Sequence, residues 1–245
     1  MALSDVQAVF ITADTVALDA DGISVAAAVG DGAALVIGGA LASGGSCTFN
    51  AGRVVTILSA GDDSGISFTV TGTDVNSDSQ TESITGANAG TATGAKYFLT
   101  ISGISAVGDP AGNVSAGVNA SAGDVIFAGR SRLKGVFTVN SATAGTVSFT
   151  NTSPAGTALM KLGTVASATV SRDVTVPDEG VVFSDGVYVQ YTVATFTNMT
   201  AYHAYGELIW LVMTLWKPVE ARRKYASWKR GEKEWRPRLR IVVFW

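Results

Sequence analysis

The stretch "FTVTGTDVNSDSQTESITG", which runs from Phe68 to Gly86, decides the fold class. Apolar and polar residues alternate on each side of a short polar turn, which is the pattern of two half-buried β-strands joined by a tight connection. In such strands Phe68 and Val70 should point into a core, while Thr69 and Thr71 should meet solvent. The stretch contains almost no side chain suited to catalysis, so it predicts a scaffold.

The same pattern occurs from Arg53 to Gly206. Its short β-rich runs are separated by turn residues and include "RVVTILS", "KYFLTISGISAV", "GVFTVN", "GTVSFT" and "NMTAYHAYG". Asp185-Gly186 in "VVFSDGVYV" predicts a hairpin between two apolar strands, and Pro177 should end the strand before it. Many short strands at this spacing are typical of sandwiches and barrels. We predict an all-β protein with two consecutive β-sandwich domains, Ig-like or jelly-roll-like, at 46–120 and 131–206. A single larger β-domain is the alternative.

The first 45 residues are rich in Ala, Gly and Val and contain the turn-forming pairs Asp21-Gly22 and Asp31-Gly32. They predict an extended N-terminal arm or irregular strands, although an Ala-rich run also tolerates a helix. The first residues, "MALSDVQAVFITADT", lack the basic start and continuous apolar core of a secretory signal. We therefore expect synthesis and folding in a cytoplasm.

Residues suited to catalysis are scarce. The chain has one cysteine, Cys47, which excludes an intramolecular disulfide, and one histidine, His203. A Ser-His or Cys-His nucleophile would have to use His203, whose neighbourhood contains no nucleophile motif. We predict that the protein is not an enzyme and that it has no catalytic, cofactor-binding or metal-binding residues and no cofactor.

Three further patterns resemble binding sites but do not meet the requirements of one. "LDADGIS" and "GDDSGIS" cluster acids with glycine but lack the ligand spacing of an EF-hand. Asp178 with Glu179, or Asp63 with Glu82, could be imagined as carboxylate pairs, but spacing alone does not make a glycosidase site. "GDGAALVIGG" lacks the Lys-Ser/Thr of a P-loop. The first 206 residues contain no tryptophan, and no aromatic-lined sugar cleft is predicted there.

The last segment, 207–245, differs in character from the rest. Up to Gly206 there are seven basic and sixteen acidic residues; from Glu207 there are ten and four, together with all five tryptophans. Its apolar run Leu208–Trp216 is too short for a bilayer, which takes about 20 residues, so no membrane span is predicted. The candidate partner-contact residues are Trp210, Trp216, Arg222, Arg223, Lys224, Trp228 and Trp235.

Three interpretations of this basic, Trp-rich extension stay open. Tryptophan and arginine are preferred anchors of protein interfaces, which favours a docking arm. Basic residues interleaved with aromatics also suit nucleic acid, where the charges neutralise phosphate and the rings stack on bases. Because the rest of the chain is acidic, we expect the docking arm over nucleic acid. An atypical terminus without a partner is the third interpretation.

The strand-and-turn order "RVVTILSAGDDSGISFTVTGTD", followed by "QTESITGANAGTATGAKYFLTISGISAV", resembles a repeated theme in structural proteins of tailed bacteriophages. "LKGVFTVNSATAGTVSFTN" and "VTVPDEGVVFSDGVYVQYTV" also look like phage head or tail components with paired β-domains. The resemblance implies a virion structural protein, such as a capsid decoration (cement) protein or a neck or tail component. Its implied partners are copies of itself and major capsid or tail proteins. The competing class is a cell-surface adhesin or carbohydrate-binding β-module.

Overall fold

The computed structural model describes residues 5–168, 170–177 and 179–205. The segment 207–245, with all seven candidate partner-contact residues, lies outside the described residues. The described chain consists of antiparallel strands and connecting turns without any helix, which confirms the all-β prediction. Consequently no helix long and apolar enough to cross a membrane occurs in these ranges.

The strands, numbered in chain order, follow one another closely. Their bounds are β1 Val6–Thr12, β2 Asp19–Ala28, β3 Ala42–Ser43, β4 Ser46–Ser59, β5 Ser67–Thr73, β6 Ser79–Thr85, β7 Thr91–Val107, β8 Asn113–Phe127, β9 Ser131–Asn140, β10 Gly145–Asn151, β11 Ala158–Thr164, β12 Ser171–Thr175, β13 Val181–Phe183, β14 Val187–Thr192 and β15 Phe196–Tyr205.

The described strands form two antiparallel sheets. The five-stranded sheet has the order β1-β15-β9-β12, and β13 also pairs with β9. The ten-stranded sheet has the order β11-β10-β14-β8-β4-β7-β5-β6, with β2 paired to β8 and β3 paired to β4. The larger sheet therefore contains strands from both halves of the chain.

The quoted stretch forms the hairpin β5–β6, in continuous register from Ser67 opposite Thr85 to Thr73 opposite Ser79. Phe68 and Val70 are fully buried, as the alternation predicts. Thr71 is exposed and Thr69 is half-buried on the opposite face. Local alternation correctly predicts which side chains of this hairpin are buried, because the two strands are adjacent in sequence as well as in space.

The predicted hairpin at Asp185-Gly186 is wrong. The turn itself forms, and Gly186 has the positive φ of 92° that favours glycine. However, β13 before it pairs with β9 in the smaller sheet, while β14 after it pairs with β10 and β8 in the larger one. Phe183 and Val187 on the two sides of the turn are both buried in one core. The turn thus carries the chain from one sheet to the other across that core.

The N-terminal residues are incorporated into both sheets. β1 pairs with β15 over its whole length, from Val6 opposite Ala204 to Thr12 opposite Asn198. β2 pairs with β8 irregularly, with register shifts between Asp19 and Ser24 and again before Ala27. The N-terminal segment therefore includes one regular and one irregular strand of considerable length.

Two large groups of buried side chains lie along the sheets. The first core comprises Ile23, Leu35, Cys47, Phe49, Val55, Ile57, Phe68, Val70, Ile84, Phe98, Ile101, Ile104, Ala106, Val114, Ala116 and Val118. The second core comprises Ile11, Ala13, Ala51, Ala122, Ile126, Leu133, Val136, Val147, Phe149, Leu162, Phe183, Val187, Val189, Tyr191, Phe196, Met199 and Ala201.

Arg53 lies on β4 between residues of the two cores and is fully buried. Its Nη1 donates to Asp14 Oδ2 at 3.1 Å and to the Val16 carbonyl at 2.9 Å, and its Nε donates to the Ser121 carbonyl at 3.3 Å. The Asp14 amide donates to the Tyr191 hydroxyl at 3.0 Å. Burial raises the pKa of Tyr191 to about 12. A buried ion pair thus ties the β1–β2 connection to strands β4, β8 and β14.

Candidate functional site

His203 is a packed residue of β15. It is almost fully buried, and its ring stacks on Phe127 with centroids 5.0 Å apart. Ser131 Oγ donates to the Ala204 carbonyl at 2.8 Å, so Nδ1–H of His203 is the donor in its 3.2 Å contact with Ser131 Oγ. Burial lowers the pKa of His203 and favours its neutral form. The surroundings explain His203 as part of the packing between β9 and β15.

The acidic turn at Asp62 and Asp63 is held by its own hydrogen bonds. Asp62 Oδ1 accepts from the Ser64 hydroxyl at 2.7 Å and from the Ser64 amide at 3.1 Å, and these bonds lower the pKa of Asp62. Asp63 is buried and accepts the Ala111 amide at 2.7 Å, whereas Glu82 accepts the Ala95 amide at 2.6 Å. In the parts of the chain that the structure describes, no group of three or more His, Cys, Asp or Glu could hold a metal ion.

The remaining residues that the sequence analysis considered for chemistry are Cys47, Asp178 and Glu179. Cys47 is buried in the first core, and desolvation raises its pKa to about 11, so the thiolate is disfavoured. Asp178 lies outside the described residues. Glu179 is within 3.8 Å of Lys134 Nζ in a largely exposed ion pair. Such surface pairs contribute little to stability.

The outer face of the five-stranded sheet carries exposed aromatic side chains. Residues that lie opposite one another across the strands alternate between the second core and solvent. Val9 and Ala201 face inward, whereas Phe10 is 65% exposed and Tyr202 is 39% exposed. The outward rows are Phe10–Thr200–Phe137 and Ala8–Tyr202–Gly135. We call this surface, with Phe10, Phe137 and Tyr202 as its aromatic members, the aromatic face.

A shallow groove of about 340 Å³ lies on the aromatic face and is lined by Lys134, Gly135, Phe137, Asp173, Thr175 and Tyr202. Gly135 lies beside Tyr202 in this lining, where a Cβ would lie 3.2 Å from the Val174 carbonyl oxygen and 3.7 Å from Tyr202 Cδ2. The groove is open and presents aromatic rings beside one acidic and one basic side chain. It can provide contact area for a partner but encloses no reacting group.

Strand β1 is the edge of the same sheet and, within the described residues, pairs only with β15. Its sequence "VQAVFIT" contains neither charge nor proline. The other three strands at the ends of the sheet paths each carry charge, with Glu82 in β6, Lys161 in β11 and Arg172 in β12. Charge on an edge strand discourages pairing with another chain. β1 therefore lacks a charge that the strands at the other three path ends have.

A second concave site lies between the β5–β6 turn, Asp74–Asp78, and the loop 153–156 after β10. We call it the tyrosine pocket, because Tyr97 and Tyr188 form its walls; its volume is about 150 Å³. The two tyrosines belong to a small buried cluster with Val54 and Val75. Burial raises the pKa of Tyr97, although hydrogen bonds to Gln190 and Ser121 oppose the shift.

Two glycines make room for the base of the tyrosine pocket. Gly52 on β4 and Gly123 on β8 are directly opposite one another. A Cβ on Gly52 would lie 2.5 Å from Val75 Cγ1, and a Cβ on Gly123 would lie 2.4 Å from Pro154 Cβ. Any side chain at these positions would displace residues that form the pocket.

No protein-family model, curated protein or solved structure matches the chain. Sequence reasoning missed the aromatic face and the tyrosine pocket. For the aromatic face a signal existed, because "VQAVFIT" is an uncharged β-rich run with an aromatic residue at Phe10. For the pocket none existed, since Tyr97 and Tyr188 meet only through the sheet order.

Proposed function

We propose that the protein is a non-enzymatic structural component of a tailed-phage particle, a capsid decoration (cement) protein or a neck or tail component. It is made in the host cytoplasm, resides in the virion and acts through contacts with copies of itself and with major capsid or tail proteins. The observation that carries the proposal is strand β1, an uncharged edge beside an exposed aromatic face.

A sheet edge suits assembly because backbone N–H and C=O groups of an edge strand can form a ladder with a strand of another chain. Main-chain hydrogen bonds supply affinity in such strand addition, and alternate side chains supply specificity. In β1 those alternate side chains include Ala8 and Phe10 on the outer face. A partner strand beside β1 would extend the five-stranded sheet and cover part of Phe10.

The aromatic face adds a second contribution next to the edge. Phe10 and Tyr202 leave large fractions of their side chains in water. Large aromatic residues are favoured at interface centres, where burying them removes apolar area from water. Asp173 and Lys134 border the groove and supply opposite charges for its rim. The edge and the face together offer a continuous surface for protein contact.

The proposal includes the two β-sandwich domains at 46–120 and 131–206, with most members of the first core in one range and most members of the second core in the other, and with the N-terminal strands completing them. It also includes the extension 207–245 as a docking arm, with Trp210 and Trp216 as anchors and the basic residues at its rim. Nucleic acid is the less favoured partner of that arm. The separation of the buried side chains into two large clusters supports the sandwich division.

Mass spectrometry of purified phage particles tests the location, and absence of the protein from the particles overturns the proposal.

Incorporation of variants into particles tests the contact surface. Ala8→Lys places a charge on β1 and should strongly reduce incorporation. Ser83→Lys is the matched control, because it adds the same charge to an exposed site on β6, which already carries Glu82. Equal incorporation of both variants would show that β1 is not the contact.

A further inference from the structure

The tyrosine pocket has an apolar lining that is fixed in place. Val75 and Pro154 are buried, and Tyr97 and Tyr188 are each about nineteen-twentieths buried, at 6% and 5% exposure. Because these residues pack against the Gly52–Gly123 position of β4 and β8, the walls rest on the central strands of the larger sheet. A pocket built on a rigid scaffold loses little entropy when a ligand binds.

The polar rim of the pocket is also held in place by hydrogen bonds. Asp74 Oδ1 accepts the amides of Asn76 at 2.8 Å and Asp78 at 3.0 Å. Asn76 Nδ2 donates to Asp74 Oδ2 at 3.3 Å and to the Tyr188 hydroxyl at 3.2 Å. Gln80 Nε2 donates to the Tyr97 carbonyl at 2.8 Å. The turn between β5 and β6 is thereby tied to a tyrosine from the other half of the chain.

The rim combines donors with acceptors and balances its charges. Asp74 contributes one negative charge and Lys96 one positive charge, so the lining has no net charge. Tyr188 accepts a bond from Asn76 and keeps its own hydroxyl proton for donation. A ligand group that both accepts and donates fits this mixture, and hydroxyl groups have that property.

We propose that the tyrosine pocket binds one uncharged pyranose sugar, as a free glycoside or as the terminal residue of a glycan. The apolar C–H face of the ring would lie against the tyrosine and proline walls, and its hydroxyls would meet the rim formed by Asp74, Gln80 and Lys96. The volume of about 150 Å³ greatly exceeds the roughly 10–15 Å³ that a single water needs. This site is separate from β1 and from the aromatic face.

The test uses the full-length chain labelled with ¹⁵N and titrated with the methyl glycosides of glucose, galactose and mannose and with N-acetylglucosamine. We expect saturable amide shifts at Val75, Asn76 and Tyr188 with a dissociation constant of about 1 mM for at least one sugar. Glucuronic acid and glucosamine should bind more weakly, because the balanced rim does not favour either charge. A disaccharide with the preferred sugar at its non-reducing end should bind if the natural ligand is a glycan terminus, and should not bind if it is a free glycoside.

Two pocket variants and one control variant locate the binding. Ala155→Trp fills the pocket from its exposed rim and should abolish the shifts. Ala144→Trp, at another exposed loop alanine, is the matched control and should leave them unchanged. Asn76→Ala removes the bond to Tyr188 and should weaken binding about tenfold. Amide spectra of each variant confirm that the fold is kept.

Absence of saturable shifts with every sugar on the intact chain would overturn the proposal. Binding that Ala155→Trp leaves unchanged, or shifts confined to residues away from the pocket, would overturn it as well. The experiment uses the isolated protein, so its failure leaves the virion proposal untouched. Conversely, absence of the protein from phage particles would not affect sugar binding in solution.

Discussion

The two cores are built from the sequence in different ways. All fully buried members of the first core lie between Ile23 and Val118. The second core takes most of its members from Ala122 to Ala201 but also includes Ala51 of β4 and requires Ile11 and Ala13, which precede the whole first core. One stretch of chain can therefore supply the first core, whereas the second is completed by the strand furthest from it in sequence. Closeness in sequence is a reliable guide to one half of this protein and a poor guide to the other.

The largest expected effect comes from Arg53, which lies between the cores. Replacing it in Arg53→Met leaves Asp14 buried without its counter-charge, and we expect a loss of about 3–5 kcal/mol in the free energy of unfolding. Urea denaturation measures this loss. Lys161→Met, on an exposed position of β11, is the control and should change stability by less than about 0.5 kcal/mol. A similar small change for both variants would contradict the structural role of the ion pair.

The second prediction asks whether the cores open independently. Ile11→Ala should cost about 2–5 kcal/mol through lost burial and the cavity left behind. In native-state hydrogen exchange, its effect should be concentrated in the amides of β9, β14 and β15. Ile101→Ala, a fully buried change in the first core, should instead weaken protection in β4, β5 and β7. Identical protection patterns would show that the two cores open as one unit.

The sequence predicted those parts of the fold that local alternation determines. Phe68 and Val70 are buried because β5 and β6 pair with each other directly, so the pattern and the contact lie in the same stretch. At Asp185-Gly186 the local turn signal was correct but its partner was not, because a positive φ specifies a change of direction and not which strands pair. Pairing was decided by the burial of Phe183 and Val187 in a core built by distant strands.

The candidate sites show the same limit. The sequence contains the uncharged run of β1, but its position at a sheet edge depends on the pairing with β15. The tyrosine pocket depends on Tyr97 of β7 and Tyr188 of β14 meeting across β4 and β8, a contact between strands that no local periodicity encodes. Arg53 resembled an ordinary strand residue, although its burial with Asp14 joins two parts of the protein.

The third prediction concerns the glycines that face the tyrosine pocket. Gly123→Ala places a Cβ 2.4 Å from Pro154 Cβ, and relieving this clash should cost about 1–3 kcal/mol. Gly163→Ala is the control, since a Cβ there meets nothing within 4 Å. Thermal denaturation of the two variants measures the difference. Equal melting temperatures would show that the loop at Pro154 moves aside without cost.

The smallest effect is the response to pH. Burial lowers the pKa of His203 in the folded protein, so the unfolded chain, with its ordinary pKa of about 6.5, takes up a proton first as the pH falls. The contribution of neutral His203 is therefore fully present above about pH 6.5 and declines below it. His203→Gln should remove this part of the pH dependence of Tm. An unchanged slope in the variant would assign the pH dependence to other groups.

The antiparallel pairing of β1 with β15 has a consequence for the order of events during synthesis. The ribosome makes β1 before the first core and makes its partner strand only after almost all the other described residues. Contacts between such distant residues form late, since closing so long a loop costs entropy. Throughout that interval the N-terminal strand is an uncharged segment whose partner strand has not yet been made. A neighbouring nascent chain can supply a partner strand. Several ribosomes translating the same mRNA therefore favour strand exchange between copies of the protein.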